Sequence, residues 1–133
     1  MATVAGGDKP PRLKEYSPGA ETLRIGNYFG LAMKAGRVAA GDAAAEKALK
    51  AGFGCLLVLA GDVSPAVAKE LIFLAKKYSL PLLWWQDKAS LGLTVGKSRR
   101  GALVLTDKGF SNAILKLCEE YTLKNFPNEG EEC

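Results

Sequence analysis

One run in this 133-residue chain, Cys55-Leu56-Leu57-Val58-Leu59-Ala60, restricts the fold more than any other stretch. Side chains along a strand alternate between the two faces of a sheet, so a strand with one wet face alternates in polarity. This run does not alternate. It reads as a strand buried on both faces, which requires helices above and below the sheet. Gly52 to Gly54 precede it and Gly61-Asp62 turn the chain after it.

Three further extended stretches fit the same sheet: Arg37 to Ala40, Pro81-Leu82-Leu83-Trp84-Trp85 and Ala102-Leu103-Val104-Leu105-Thr106. Helical periodicity fills the spaces between them. Ser17-Pro18 is a cap followed by a first-turn proline, and Leu23, Ile25, Phe29, Ala32 and Met33 follow mostly at helical spacing, with Gly36 as C-cap. Asp42 to Ala51 is an alanine-rich helix. Ser64-Pro65 starts another, with Val67, Leu71, Leu74, Ala75 and Tyr78 on one face. Asp87 caps a short helix through Leu91 to Val95. Asp107 caps the last, whose apolar face holds Phe110, Ile114, Leu117, Cys118 and Tyr121. The expectation is an α/β fold, a three-layer α/β/α sandwich around a small mixed sheet of about four strands. Residues 1–17 read as a disordered arm, 18–124 as a single domain and 125–133 as an acidic tail.

Composition narrows the chemistry. The chain has no histidine, and Cys55, Cys118 and Cys133 lack paired spacing. Structural zinc and a cysteine–histidine nucleophile are therefore disfavoured. Asp62, Asp87 and Asp107 sit where helix caps belong, and no carboxylate pair is placed for acid–base work. No enzyme, cofactor or metal is expected. No apolar run is long enough to cross a bilayer and no signal-peptide core stands near the start, so the cytoplasm is the expected location. From Glu21 to Phe110 thirteen Lys and Arg face seven Asp and Glu, whereas the stretch after Phe110 is net acidic. A basic body attracts polyanions, although lysine also simply keeps small proteins soluble.

Two places could receive such a polyanion. Gly41 stands at a strand-to-helix junction, and its lack of a side chain leaves the first helical N–H groups uncovered. Lys47 and Lys50 follow within two turns. The same glycine is also what a plain tight turn needs. The second place is the basic loop Gly96-Lys97-Ser98-Arg99-Arg100-Gly101. It is not a nucleotide-binding P-loop, because Gly92 to Gly96 leaves three intervening residues where that motif has four, and a strand follows rather than a helix. In a sandwich the loops at one end of a sheet converge. If this loop lies beside Gly41, one face offers N–H groups together with Lys34, Arg37, Lys47, Lys97, Arg99 and Arg100, the arginines suited to gripping phosphate or stacking on bases. Trp84 and Trp85 point to opposite faces of their strand, one to the core and one either beneath a helix or free to stack a base.

The stretch Leu31-Ala32-Met33-Lys34-Ala35-Gly36-Arg37-Val38-Ala39-Ala40-Gly41, then Lys47-Ala48, Leu91-Gly92 with Gly96-Lys97, and Val104-Leu105-Thr106-Asp107-Lys108-Gly109-Phe110 resembles the ribosomal-protein family of archaeal L-seven-Ae and eukaryotic L-thirty-e. The likeness spans about Thr22 to Leu115 and is nearest to the small branch found in Gram-positive bacteria. It implies an α/β/α sandwich that binds kink-turn RNA. By the resemblance, Gly41 is the corner glycine and Lys47 a phosphate contact. The Asn and Glu that read sheared G·A pairs in the archaeal pattern fall on Ala43 and Ala44, which cannot hydrogen-bond a base edge. The second contact loop falls on Lys97 to Gly101. The resulting expectation is a monomeric, non-enzymatic protein of ribosomal type whose partner is structured RNA, a kink-turn or ribosomal RNA. Its site is Lys34, Arg37, Gly41, Asp42, Ala43, Ala44, Lys47, Lys97, Ser98, Arg99 and Arg100. The alternative is a protein-interaction or structural module on the same fold with reduced RNA binding.

Overall fold

The computed structural model describes residues 15–16 and 22–125. Along the chain these form β1 (Glu15–Tyr16), α1 (Thr22–Lys34), β2 (Val38–Ala40), α2 (Asp42–Lys50), β3 (Leu56–Leu59), α3 (Pro65–Lys77), β4 (Leu82–Trp84), α4 (Lys88–Thr94), β5 (Ala102–Leu105) and α5 (Lys108–Asn125). The sheet order is β1-β4-β3-β5-β2. β4 runs parallel to β3 and to β1, while β5 runs antiparallel to both β3 and β2.

The apolar run becomes the central strand β3, fully buried. Its residues divide by parity between two cores. Leu56, Val58 and Ala60 join Leu83, Trp85, Leu103 and Leu105 under α1, α4 and α5, where Ile25, Phe29, Leu91 and Ile114 pack. Leu57 and Leu59 join Leu82, Ala102 and Val104 under α2 and α3, where Ala45, Leu49, Leu71 and Leu74 pack. Each such leucine contributes about 1.5–3 kcal/mol by leaving water. Both faces therefore need apolar residues at every position, and the lack of alternation follows.

The sheet has five strands where about four were expected, because the end of the expected arm, Glu15–Tyr16, is a strand. Glu15 pairs with Leu82 and Tyr16 with Leu83. Two residues carry no periodicity of their own. They are extended because the edge of β4 offers unpaired backbone groups, and Trp84 Nε1 donates to Glu15 Oε1 at 3.2 Å. The remainder of the expected arm, residues 1–14, the Ser17-Pro18 helix start and residues 126–133 of the expected tail lie outside the described residues.

Caps behave as their chemistry requires. Ser64 Oγ accepts from Val67 N at 3.2 Å with Pro65 behind it, Asp87 Oδ1 accepts from Ser90 N at 2.8 Å, and Asp107 Oδ2 accepts from Phe110 N at 2.9 Å. The tryptophans separate as expected. Trp85 is buried against Phe29, their ring centroids 5.3 Å apart in an edge-on contact, and Trp84 is half-buried against the α2–α3 side.

Candidate functional site

Gly41 joins β2 to α2. Its N–H donates to Ala102 O at 2.8 Å and its carbonyl accepts from Ala45 N at 2.8 Å. Its backbone, φ 109° and ψ 160°, lies where only glycine is comfortable. Gly41 brings no capping side chain, and among the described residues no cap hydrogen bond closes the helix start. The α-helical pattern gives no internal partner to the N–H groups of Asp42, Ala43 and Ala44, so these donors stand at an open helix end.

The loop 96–101 does lie beside this corner. A cavity of about 570 Å³ is lined by Ala40 to Ala44 on one side and by Lys88, Arg99, Arg100 and Gly101 on the other. A Cβ built on Gly41 would stand 3.5 Å from Arg100 Cδ. The loop is held down at several points. Lys97 N donates to Gly92 O at 2.9 Å, and Arg100 N donates to Lys88 O at 3.1 Å. Gly92 must be glycine because any Cβ there would meet the Ser98 carbonyl. Arg100 Nη1 donates to Ser98 Oγ and to Arg99 O, both at 3.0 Å, which curls its guanidinium into the loop. Asp62 ties the loop to the start of α4: its Oδ1 accepts from the Lys88 backbone N–H at 2.8 Å and its Oδ2 lies 3.7 Å from Arg99 Nη2. Hydrogen bonds from Ser90 hold the neighbouring Asp87 carboxyl below its ordinary range, and Arg99 adds a smaller pull.

The structure gathers some of the expected residues and disperses others. Gly41, Asp42, Ala43, Ala44, Arg99 and Arg100 share the cavity, and Ser98 braces Arg100 from behind. Lys47 lies one turn along α2 in an adjoining hollow shared with Ala43. Near it Glu46 and Lys50 pair at 2.8 Å. Lys97 is exposed on the loop but does not line the cavity. Arg37 stands at the far end of β2 from Gly41, its carbonyl bonded to Thr106 N. Lys34 lies in a different groove, between α1 and α4. Local sequence cannot separate the two ends of a strand by function, and that is why Lys34 and Arg37 were grouped with the corner. Lys88 was missed. The available signal was Asp87: a helix cap places the next residue at the start of its helix, here the same end of the sheet as Gly41.

The site holds donors and cations with Asp42 and Asp62 as counter-charges. Among the described residues no cluster of three or more His, Cys, Asp or Glu could hold a metal ion, and no helix is long and apolar enough to cross a membrane. The arrangement suits an anionic polymer approaching α2 end-on.

Comparison with known proteins places these features in context. A sequence model of the Ribosomal protein L7Ae/L30e/S12e/Gadd45 family matches residues 24–115. The RNA-binding protein YlxQ of Bacillus subtilis (strain 168) is 30% identical over 91 residues, covering 68% of this chain and 91% of that one. A solved structure of a protein with unknown function from Bacillus halodurans C superposes with a TM-score of 0.68 at 26% identity, covering 72% of this chain and 97% of that one. The Giardia lamblia 15.5kD RNA binding protein superposes with a TM-score of 0.69 at 16% identity, covering 80% and 91%, a likeness of fold alone.

Proposed function

The chain belongs to the Ribosomal protein L7Ae/L30e/S12e/Gadd45 family, and from that membership we propose that it is a non-enzymatic RNA-binding protein of the cytoplasm, acting as a monomer on kink-turn-like structured RNA. The observation that carries this reading is the single cavity joining the uncapped start of α2 to Lys88, Arg99 and Arg100. Backbone N–H groups and a helix N-terminus receive phosphate without regard to sequence. The three cations add phosphate contacts, and Lys47 extends the track along α2. The relative in Bacillus subtilis, described as RNA-binding, supports the same reading.

Ala43 and Ala44 are exposed in the first turn of α2 and, by the resemblance, stand where the archaeal pattern has its base-reading Asn and Glu. With alanine there, recognition rests on backbone shape and phosphate rather than on base hydrogen bonds. The same alanines favour a second reading, a protein-interaction module that has retained the fold with reduced RNA binding.

A gel-shift comparison of a kink-turn with a straight duplex across a salt series separates the two. The first reading predicts preference for the kink-turn and a steep loss of affinity with salt. Lys47→Ala and Arg99→Ala each weaken binding and flatten the salt slope by about one unit, while Lys76→Ala on α3 does neither. Introducing Asn at 43 and Glu at 44 together tightens kink-turn binding. Absence of any shift at low salt refutes the RNA reading, and equal losses from all three lysine and arginine variants reduce it to diffuse charge.

A further inference from the structure

A second groove lies well away from the basic corner. It runs between α1 and α4, encloses about 880 Å³, and is lined mainly by apolar groups. Of the six large hydrophobic side chains that are exposed among the described residues, three stand on its rim: Leu23 at 77%, Leu31 at 52% and Leu93 at 76% exposure. Single exposed leucines are ordinary, but three around one groove are a patch of the kind that marks interaction sites. The floor is close-packed. A Cβ on Gly26 would meet the Trp85 ring at 2.9 Å, and one on Gly30 would meet the Thr94 carbonyl oxygen at 2.9 Å, so α1 and α4 touch below the groove and leave it shallow and open.

Charge says what such an occupant carries, and Trp85 reports its arrival. Trp85 lines the groove and is 6% exposed, its indole nitrogen buried and without an acceptor among the described residues. Lys34 is the single ionised side chain among the described lining residues, and no carboxylate stands with it.

We propose that the α1–α4 groove docks an acidic amphipathic segment of a protein partner, its apolar side chains seated among Leu23, Leu31 and Leu93 and a carboxylate paired with Lys34. RNA fits this surface poorly, because phosphates would desolvate against three leucines for one lysine. A second copy fits poorly as well. A two-fold interface pairs a patch with itself, and this patch would bring two lysines together without an acid on either side.

The probe is a synthetic helical peptide with leucines at i, i+4 and i+7 and glutamates elsewhere, added to the ¹⁵N-labelled full chain. The two tryptophan indole signals are assigned with Trp84→Phe. The expected result is a saturable displacement of the Trp85 indole signal and of the α1 and α4 amides, without displacement of the Gly41 to Ala44 amides. Lys34→Glu weakens the peptide about fivefold, and Leu93→Ser weakens it at least about tenfold, in proteins whose spectra keep native dispersion. A charge-reversed peptide with lysines in place of the glutamates binds more weakly than the acidic one. The proposal is overturned if the acidic peptide leaves the groove signals unmoved, or if both peptides bind alike. It is also overturned if kink-turn RNA displaces the same groove signals, or if protein concentration alone does so, which would assign the groove to RNA or to a second copy.

Discussion

Replacing Gly41 by alanine alters neither charge nor polarity, so it isolates the contribution of backbone geometry at the corner. With φ 109° and ψ 160°, an L-residue pays about 1–3 kcal/mol to stay in place. The added Cβ meets only the flexible Arg100 side chain, with Cδ at 3.5 Å and Nε at 3.6 Å, so strain rather than collision dominates. A native domain holds roughly 5–15 kcal/mol in reserve, so the variant folds. At about 4 °C per kcal/mol for a domain of this size, its Tm falls by roughly 4–12 °C. Gly36→Ala serves as the reference. It also has a positive φ, 74°, but lies in the ordinary left-handed region, and among the described residues nothing stands within 4 Å of its new Cβ. Its cost is about 1 kcal/mol. The two differ further in binding. Relaxing the strain at 41 tilts the first turn of α2 and forfeits at least one N–H bond to phosphate, which is worth about 1.5–3 kcal/mol to a charged acceptor and lowers affinity about tenfold to a hundredfold. Gly36→Ala leaves affinity unchanged. Thermal melts and gel shifts at fixed salt measure both quantities. A folded Gly41→Ala protein with native affinity refutes the assignment of the α2 N-terminus to the RNA site, and equal Tm losses for the two variants refute the strain argument.

Other expectations concern separate parts of the molecule. Asp107→Ala removes the bond to Phe110 N and costs about 1 kcal/mol of stability; urea unfolding measures it, and RNA affinity stays the same because the cap lies at the opposite end of the sheet from Gly41. Asp87 is held charged in the folded chain by Ser90, its pKa below the ordinary 3.8. The stabilisation it lends α4 is therefore complete above that ordinary value and disappears as pH falls through the lowered one. Proton-exchange or amide-shift titration of Ser90 follows this, and Asp87→Asn abolishes the transition. Burial, with Glu119 adding to it, pushes the Cys118 thiol up to about 12. Native protein at mildly alkaline pH leaves Cys118 unalkylated until it is unfolded, as peptide mass mapping will read.

Much of this protein is written locally. The continuous apolar run at 55–60 announced a sheet covered on both faces, since either face exposed to water would have required polar residues at alternate positions. Cap chemistry at Ser64, Asp87 and Asp107 marked helix starts because the hydrogen bonds involved span three residues. The strand-to-helix junction at Gly41 was legible because an extended stretch ends there and an alanine-rich helical one begins, but the same glycine fits a plain tight turn, so its role was not. The edge strand at Glu15–Tyr16 was not legible, since its pairing partner lies at Leu82 and Leu83 and two residues have no pattern to show.

The site divides in the same way. Sequence by itself determined the parts: a glycine without a capping side chain, two alanines in the first helical turn after it, and a run of cations at 97–100. Only the tertiary structure decided which cations meet the N–H groups at the start of α2. The antiparallel pairing of β5 with β2 brings Gly101 and Arg100 to the Ala40–Gly41 end, the hydrogen bond from Arg100 N to Lys88 O adds Lys88, and the three-residue length of β2 keeps Arg37 at the other end. Strand pairing and helix contacts act between residues far apart in sequence. Local periodicity determines which face of an element is apolar, but it carries no information about which distant element that face will meet.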